Sequence, residues 1–303
     1  MKTQRLTGLI AATFTPMRAD GRLNLPQVAP IVERLVADGV RGLYVCGSTG
    51  EGPCLSVAER KAVLDAYLQA AGGRVAVVAQ VGHDSLVEAA DLARHAAAAG
   101  VDAISAVPPY YFKPESIADL VACIEQVAAA APESPFYYYH IPRLTGLNAN
   151  VVELARAAGE RIPTFAGVKY SSMTLDEMQA LTALDDGRYN VLFGVDECLL
   201  AGLISGAHGA VGSTYNFAAP LFGRVIDALE RGDVASASAA QSDAARLIRR
   251  ILQHGSLPAL KAVMRLIGLD CGPSRLPLRS LTDAEIAALR RDVAATGLLP
   301  LLS

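Results

Sequence analysis

The stretch Phe165-Ala166-Gly167-Val168-Lys169-Tyr170-Ser171 is almost continuously apolar or aromatic, with a single lysine near its end. Such a run is typical of a parallel β-strand that is buried on both faces. Seven further runs of apolar, β-branched or aromatic residues occur, and the eight begin near Gly8, Arg41, Val75, Ala103, Pro135, Thr164, Asn190 and Gly209. They recur at intervals of about 29 residues, which is the length of a strand with its crossover helix.

The segments between these runs have helical periodicity, and glycines such as Gly100 end them. Eight such units predict an α/β fold, a (β/α)8 TIM barrel over residues 1–224, and an open doubly wound sheet is the alternative. After Arg224 the strand pattern stops, so we expect residues 225–303 to form helices packed on the barrel. The predicted helices are Val57–Ala71, Leu86–Ala99, Ile117–Ala130, Val234–Gln253, Leu257–Ile267 and Asp283–Ala295.

The composition is that of a chain with a large buried core. Hydrophobic residues make up 52% of the 303 residues and charged residues 19%, which excludes a disordered protein. Lysine and arginine number 27 against 30 acidic residues, so the net charge is −3. This weak imbalance argues against nucleic acid and membrane as partners, because nucleic acid and anionic membranes both bind basic patches.

Two further features bear on the compartment. The five cysteines include no C-x-x-C pair, so neither a zinc ribbon nor a disulfide framework is indicated, and reduced thiols in a cytoplasmic protein fit best. Residues 198–223 contain no Asp, Glu, Lys or Arg and are long enough to span a membrane. Because glycines and Pro220 interrupt this segment, we expect it to form a buried helix, strand and turn.

The second predicted strand ends in a glycine-rich turn, Gly47-Ser48-Thr49-Gly50-Glu51-Gly52. In a barrel of this kind, catalytic groups lie where the strands end and the following loops begin. Backbone N–H groups in such a turn can point at an anion, and the hydroxyls of Ser48 and Thr49 can donate to it. An ordinary turn, in which both hydroxyls act as local caps, also explains the pattern.

Lysine is rare in this chain, and only Lys169 lies in a predicted strand; the others are Lys2, Lys61, Lys113 and Lys261. A buried, unpaired lysine is costly unless its pKa falls. A neutral amine in an apolar barrel mouth is suited to attack a carbonyl group and form a Schiff base. The alternative is a lysine that emerges at the strand end and pairs with a carboxylate such as that of Asp196.

The fifth predicted strand contains three consecutive tyrosines followed by a histidine. Alternation places Tyr137 and Tyr139 on one face and Tyr138 on the other. Tyr139 lies nearest the C-terminal end, where its phenol could stand beside Lys169 and transfer a proton, whereas we expect Tyr137 and Tyr138 to pack. Because the five histidines show no paired spacing, we expect His140 to be structural and no metal to take part.

Polar residues follow the last two predicted strands. Asp196 and Glu197 come after the seventh strand, and Ser213 comes after the eighth. At the barrel mouth such groups can hydrogen-bond a hydroxylated substrate. Helix capping, for which Asp and Ser are well suited, is the alternative explanation.

Together these residues resemble the N-acetylneuraminate lyase and dihydrodipicolinate synthase superfamily of pyruvate-dependent class I aldolases, and the resemblance covers essentially the whole chain. The turn at residues 47–51 is similar to the pyruvate-carboxylate loop of the superfamily. Tyr139 matches its proton-relay tyrosine, and Lys169 matches its Schiff-base lysine. Tyr111, in Pro109-Tyr110-Tyr111, looks like the aromatic residue that reaches a neighbouring subunit's site.

Within the superfamily, residues 137–142, 193–197 and 209–216 are most similar to the N-acetylneuraminate lyases, especially their animal-type branch. Ser171 stands where many of these lyases have threonine, and it retains the hydroxyl. The resemblance implies that the sugar-derived part of the substrate contacts Ser171, Gly194, Asp196, Glu197 and Ser213.

The resemblance also implies an activity and an assembly. The expected reaction is a reversible retro-aldol cleavage of N-acetylneuraminate, a 2-keto-3-deoxy sugar acid, to N-acetylmannosamine and pyruvate, without a cofactor and in a homotetramer. A dihydrodipicolinate synthase, or an aldolase for another 2-keto-3-deoxy sugar acid, is the sibling alternative. The synthases carry an arginine two positions after the proline that matches Pro142. Here Leu144 occupies that position, and we expect Arg143, one position early, to point elsewhere.

Two hypotheses from other classes remain. A non-catalytic sensor of pyruvate or a sugar acid would keep the barrel, but the presence of both Lys169 and Tyr139 disfavours it. A phosphate-binding barrel isomerase would use the glycines around Gly209 and Gly212. Absence of Schiff-base trapping would favour either of these two.

Overall fold

Eight parallel strands close into a barrel in the computed structural model, which describes residues 5–302. Each strand pairs with the next along the chain and β8 pairs with β1, so the barrel is confirmed and the open sheet is excluded. All eight strands begin within one residue of the predicted positions. They are β1 Gly8–Ala12, β2 Gly42–Val45, β3 Ala76–Gln80, β4 Ala103–Ala106, β5 Phe136–His140, β6 Phe165–Tyr170, β7 Asn190–Phe193 and β8 Gly209–Gly212.

The six helices whose bounds were predicted agree with the structure to within a residue. The α-helices of the described chain are α1 Val28–Ala37, α2 Val57–Ala71, α3 Leu86–Ala99, α4 Ile117–Ala129, α5 Pro142–Thr145, α6 Val151–Arg161, α7 Leu175–Ala183, α8 Leu199–Ile204, α9 Tyr215–Glu230, α10 Val234–Leu252, α11 Leu257–Leu266 and α12 Asp283–Ala295. Short 3-10 helices occur at Leu25–Gln27, Gly52–Cys54, Asp196–Cys198 and Leu299–Leu301.

Local sequence signals explain where the helices begin and end. The hydroxyl of Ser56 accepts a hydrogen bond from the Glu59 N–H, and the Glu59 carboxylate accepts one from the Ser56 N–H, which forms a capping box before α2. Such a cap contributes about 1 kcal/mol. Gly72, in the left-handed conformation, ends the same helix. These short-range signals made the helix bounds predictable.

Alternation along the strands divides the side chains into two layers. The outer layer lies between strands and helices and includes Leu43, Tyr138 and Val168. The inner layer fills the barrel, and its buried apolar members are Ile10, Ala12, Tyr44, Val78, Ala103, Val107, Tyr137, Tyr139, Ile141, Leu192 and Val211. The predicted parity of the three consecutive tyrosines is therefore confirmed.

Helix α9 carries the chain from the barrel into the C-terminal helices. Residue 224, where we expected the barrel to end, lies inside this helix, so the chain passes into the C-terminal segment without a linker. Helix α10 packs one face inward through Ala244, Leu247 and Ile251. The division into residues 1–224 and 225–303 stays a prediction.

The uncharged segment 198–223 forms α8, β8 and the first turns of α9, as expected from its glycines and Pro220. Strand β8 is buried along its whole length. Within residues 5–302, no helix combines the length and the apolar character that crossing a membrane requires.

Candidate active site

The C-terminal ends of parallel strands all meet at one mouth of a barrel, and the predicted chemical groups lie there. Lys169 on β6 is directly opposite Tyr139 on β5 in the strand register. Tyr44, on β2, also faces the barrel interior and reaches both residues. Its ring lies edge-on to the Tyr139 ring, with the centroids 5.7 Å apart.

Lys169 is held between two aromatic rings. Its side chain is only 3% exposed, and its Nζ lies 3.7 Å from the ring centroid of Tyr44 and 3.9 Å from that of Tyr139. Burial lowers the pKa of the Lys169 amine to about 7, although the charge of Asp196 opposes the fall. About half of the amines are therefore neutral at pH 7, about a thousandfold more than for an ordinary lysine. A neutral amine is the form that attacks a carbonyl group.

The other lysines of the described chain differ from Lys169 in exposure or in pairing; Lys2 lies outside it. Lys113 is exposed, and Lys61 forms an ion pair with Asp91. Lys261 lies on α11 as predicted, but it is buried and forms an ion pair with Glu51. Lys169 forms no ion pair with any carboxylate of residues 5–302, so the alternative pairing with Asp196 is not present.

Tyr139 is buried beside Lys169, and burial raises the pKa of its phenol. Hydrogen bonding with Ser48 and Ser171 and the charge of Arg143 oppose that rise. The phenol therefore keeps its proton at neutral pH and can exchange it with a neighbouring hydroxyl.

The neighbours of Tyr139 on β5 pack, as expected. The Tyr137 hydroxyl donates to Oδ1 of Asn190 over 2.8 Å inside the barrel, and Tyr138 belongs to the outer layer. His140 is fully buried and stacks on Tyr170, with the ring centroids 5.1 Å apart. Residues 5–302 contain no cluster of three or more His, Cys, Asp or Glu side chains that could hold a metal.

The glycine-rich turn at residues 47–52 lies beside Tyr139 at the mouth. Gly52 must be glycine, because a Cβ there would collide with the carbonyl oxygen of Cys46. The Glu51 N–H donates to the Ser48 carbonyl over 3.1 Å and closes the turn. The N–H groups of Ser48 and Thr49 have no hydrogen-bond partner in the part of the chain that the structure describes. These two donors and the Ser48 hydroxyl suit an anion.

The turn after β7 carries a buried carboxylate. The Oδ2 of Asp196 accepts hydrogen bonds from the N–H of Thr214 over 2.9 Å and from its hydroxyl over 2.6 Å. Burial raises the pKa of Asp196 to about 6, while the bonds from Thr214 and the charge of Lys169 oppose the rise. Asp196 is therefore mainly ionised at pH 7 and accepts hydrogen bonds.

A side chain of helix α10 is hydrogen-bonded to the turn that carries Asp196. The side-chain amide of Gln241 donates to the carbonyl oxygens of Asp196, over 3.2 Å, and Glu197, over 2.9 Å. The half-buried Glu197 follows Asp196 in the 3-10 helix Asp196–Cys198. The C-terminal helices therefore help to fix a loop of the barrel mouth.

The remaining predicted contacts lie on loops of the same mouth. The hydroxyls of Thr49 and Ser213 are 2.6 Å apart, which joins the glycine-rich turn to the loop after β8. Gly194 has no room for a Cβ because the Ser171 hydroxyl lies against it. Sequence reasoning assigned Gly194 by resemblance alone, and its close approach to Ser171 is the physical reason for glycine there.

Tyr111 does not join this cluster. It lies on the loop after β4, is 76% exposed, and packs its ring edge-on against Phe112. Its N–H donates to Oδ1 of Asp84 over 2.9 Å, which holds the loop. The role of Tyr111 at a neighbouring subunit stays a prediction.

Two neighbouring residues of α5 bear on specificity. Leu144 occupies the position at which the synthases carry an arginine, and its apolar side chain is 56% exposed. The charge of Arg143 lowers the pKa of Tyr139. The expectation that the Arg143 guanidinium points elsewhere stays a prediction.

Sequence reasoning missed three contributors to this site. The Tyr44 ring packs against the Lys169 amine, and Thr214 donates hydrogen bonds to Asp196. Lys261 forms an ion pair with Glu51 of the glycine-rich turn. Inward parity near the end of β2 was the one available signal for Tyr44. No sequence signal identifies the partners of Thr214 or Lys261, since each contact joins distant segments.

Comparisons with known proteins agree with the fold. Residues 5–296 match the model of the dihydrodipicolinate synthetase family. The chain is 45% identical to an N-acetylneuraminate lyase of Xenopus tropicalis over 286 residues, which cover 93% of each chain. It superposes on the N-acetylneuraminate lyase of Proteus mirabilis with a TM-score of 0.94 and 39% identity, over 97% of this chain and 99% of that one. The sialic acid aldolase of Aliivibrio salmonicida is equally similar, with a TM-score of 0.94, 39% identity and 97% of both chains covered.

Proposed function

This chain belongs to the dihydrodipicolinate synthetase family, and on that premise we propose that it is an N-acetylneuraminate lyase. It cleaves the carbon–carbon bond of N-acetylneuraminate that joins the pyruvate part to N-acetylmannosamine. The observation that carries this conclusion is Lys169, a buried lysine with a pKa of about 7, a phenol beside it and no carboxylate partner among residues 5–302. This is the arrangement that a Schiff-base aldolase requires.

The substrate is held first by its carboxylate. We propose that the free N–H groups of Ser48 and Thr49, with the Ser48 hydroxyl, bind this anion. The C2 carbonyl carbon then faces the Lys169 amine. Attack by the neutral amine gives a carbinolamine, and loss of water from it gives an iminium ion.

The iminium ion accepts the electron pair of the C3–C4 bond, so that the bond breaks without a metal. At the same time the C4 hydroxyl loses its proton to Tyr139. Because burial raises the pKa of this phenol, a free phenoxide is disfavoured. Tyr139 therefore passes its own proton to Ser48 as it receives the proton from the substrate. Ser48 gives up its own hydroxyl proton to the substrate carboxylate that it binds, and the proton returns along the same relay to C3 of the enamine. N-acetylmannosamine leaves, and protonation and hydrolysis of the enamine release pyruvate.

The sugar-derived part of the substrate carries hydroxyls and an N-acetyl group, which need both donors and acceptors. We propose that Asp196 and Glu197 accept from the hydroxyls, that Ser171 and Ser213 exchange hydrogen bonds with them, and that Gly194 leaves room. The ionised Asp196 would repel a second carboxylate, which disfavours a carboxylated aldehyde. Leu144 disfavours it independently, because it leaves the extra charge unpaired.

Assembly and compartment are further parts of this proposal. We propose a homotetramer in which Tyr111 completes the proton relay of a neighbouring subunit. Its 76% exposure in the single chain supports that role. We propose a cytoplasmic location, which is supported by the five cysteines, all of them free within residues 5–302.

A panel of 2-keto-3-deoxy acids, with pyruvate release as the readout, tests the proposed function. We expect N-acetylneuraminate to be cleaved fastest, and condensation of pyruvate with aspartate semialdehyde to be slow. If condensation with aspartate semialdehyde were faster than cleavage of N-acetylneuraminate, the chain would be a dihydrodipicolinate synthase instead. Turnover of none of the acids, with no trapped adduct, would favour a sensor.

A further inference from the structure

The C-terminal segment anchors the glycine-rich turn through a buried ion pair. Lys261 Nζ, on α11, lies 2.7 Å from Oε1 of Glu51, and the two side chains are 1% and 0% exposed. The Arg275 N–H donates to the other carboxylate oxygen, Oε2, over 2.8 Å. Lys261 also donates to the carbonyl of Pro273 over 2.7 Å. Both carboxylate oxygens of Glu51 thus have partners more than 200 residues away along the chain.

The backbone of Glu51 is strained at the same point. Its φ of 56° is left-handed, which costs a non-glycine residue about 1–2 kcal/mol and persists only where the surroundings determine it. The Glu51 N–H closes the turn on the Ser48 carbonyl, and the next N–H, that of Gly52, donates to the Gly47 carbonyl over 3.0 Å. Anchoring the Glu51 side chain therefore fixes the direction of the preceding N–H groups.

Stability alone does not explain this ion pair. A buried ion pair is often replaceable by apolar side chains without loss, because desolvation of the two charges offsets their attraction. A carboxylate anchored from two sides does fix the direction of the backbone that carries it. The turn needs this, since the Ser48 and Thr49 N–H groups that it presents have no other partner in residues 5–302.

We propose that Glu51 and Lys261 are positioning residues that hold the turn at residues 47–52 in the conformation that binds the substrate carboxylate. The inference rests on the proposed role of that turn in substrate binding. The carboxylate is bound in the substrate, the iminium ion and the enamine alike. Loss of the anchor therefore weakens all these states similarly, which raises KM and leaves kcat nearly unchanged.

Glu51→Gln tests the proposal, because it keeps the size of the side chain and one acceptor oxygen but removes the charge. We expect KM for N-acetylneuraminate to rise about tenfold, with kcat within about threefold of the wild type. A pair that served only stability would reduce the number of active molecules, which lowers kcat and leaves KM unchanged. Asp91→Asn is the matched control, since it makes the same acid-to-amide change in the Lys61–Asp91 ion pair between α2 and α3. We expect it to leave KM unchanged.

The double variant Glu51→Gln/Lys261→Met removes both charges, so that no buried lysine is left without its carboxylate partner. We expect it to melt at a higher temperature than Glu51→Gln and to keep the raised KM. An unchanged KM in folded Glu51→Gln would overturn the positioning role, and so would a Glu51→Gln chain that cannot fold. Failure of the wild type to cleave N-acetylneuraminate is a separate result, which would overturn the proposed function itself.

Discussion

The rate at which Lys169 forms an adduct with pyruvate should depend on pH through the pKa of its own amine. Burial lowers that pKa from 10.5 to about 7, a difference of about 5 kcal/mol in favour of the neutral amine. Below pH 7 the neutral fraction falls about tenfold for each pH unit, and above pH 8 it is nearly constant. Adduct formation should therefore rise about tenfold from pH 5 to 6 and less than about twofold from pH 7 to 9.

Asp196→Asn should move this profile in a defined direction. The negative charge of Asp196 raises the Lys169 pKa, so its removal should shift the midpoint to lower pH. Pyruvate lacks the sugar-derived part of the substrate, so its adduct still forms in this variant. Glu197→Gln is the matched control, and we expect it to leave the midpoint near pH 7.

The assay is trapping of the pyruvate adduct with cyanoborohydride across the pH range, quantified by mass spectrometry of the intact chain. A rate that still rises tenfold per pH unit above pH 9 would show that Lys169 titrates like an exposed lysine. A midpoint that moves upward in Asp196→Asn would show that the charge interaction has the opposite sign. Either result would refute the reasoning from burial.

Three other outcomes follow from the same geometry. Tyr139→Phe should lower kcat about a hundredfold or more, whereas Tyr138→Phe should change it little. Equal losses of kcat in the two variants would mean that proton transfer does not depend on which face of β5 the tyrosine occupies. Lys169→Met should raise the melting temperature, measured by calorimetry, because an unpaired buried amine costs about 1–3 kcal/mol even when it is neutral. Between about pH 7 and 10.5 the folded wild-type chain binds fewer protons at Lys169 than the unfolded chain, so the stability of the wild type rises with pH in this range. The rise in melting temperature caused by Lys169→Met should therefore be larger at pH 6 than at pH 9. Exhaustive chelation should leave pyruvate release unchanged, and activity that returned only with a divalent cation would contradict a metal-free mechanism.

The barrel was predictable because its signals are short-range. Buried parallel strands give continuous apolar runs, and caps such as Ser56 and Gly72 lie within a few residues of the helix ends that they fix. The same parity argument separated Tyr139 from Tyr138, because alternation along a strand depends on nothing outside it.

The polar contacts of the site were less predictable because they join distant segments. The sequence around Lys261 is typical of a helix and shows nothing unusual about this lysine. Only tertiary packing brings it to Glu51, 210 residues away. Asp196 was one candidate partner for Lys169, but the fold brings Thr214 to its carboxylate instead and leaves the amine over the Tyr44 ring. Periodicity states which face of a strand a residue occupies, and not which residue it meets there.

The role of Lys169 as the nucleophile is tested most directly by the mass of the peptide that contains it, measured after borohydride reduction in the presence of pyruvate. We expect this peptide alone to gain the mass of one reduced pyruvate, and the Lys169→Met chain to gain none. An adduct on Lys61 or Lys261, or no adduct on a folded and saturated wild-type chain, would contradict the assignment of Lys169 as the nucleophile.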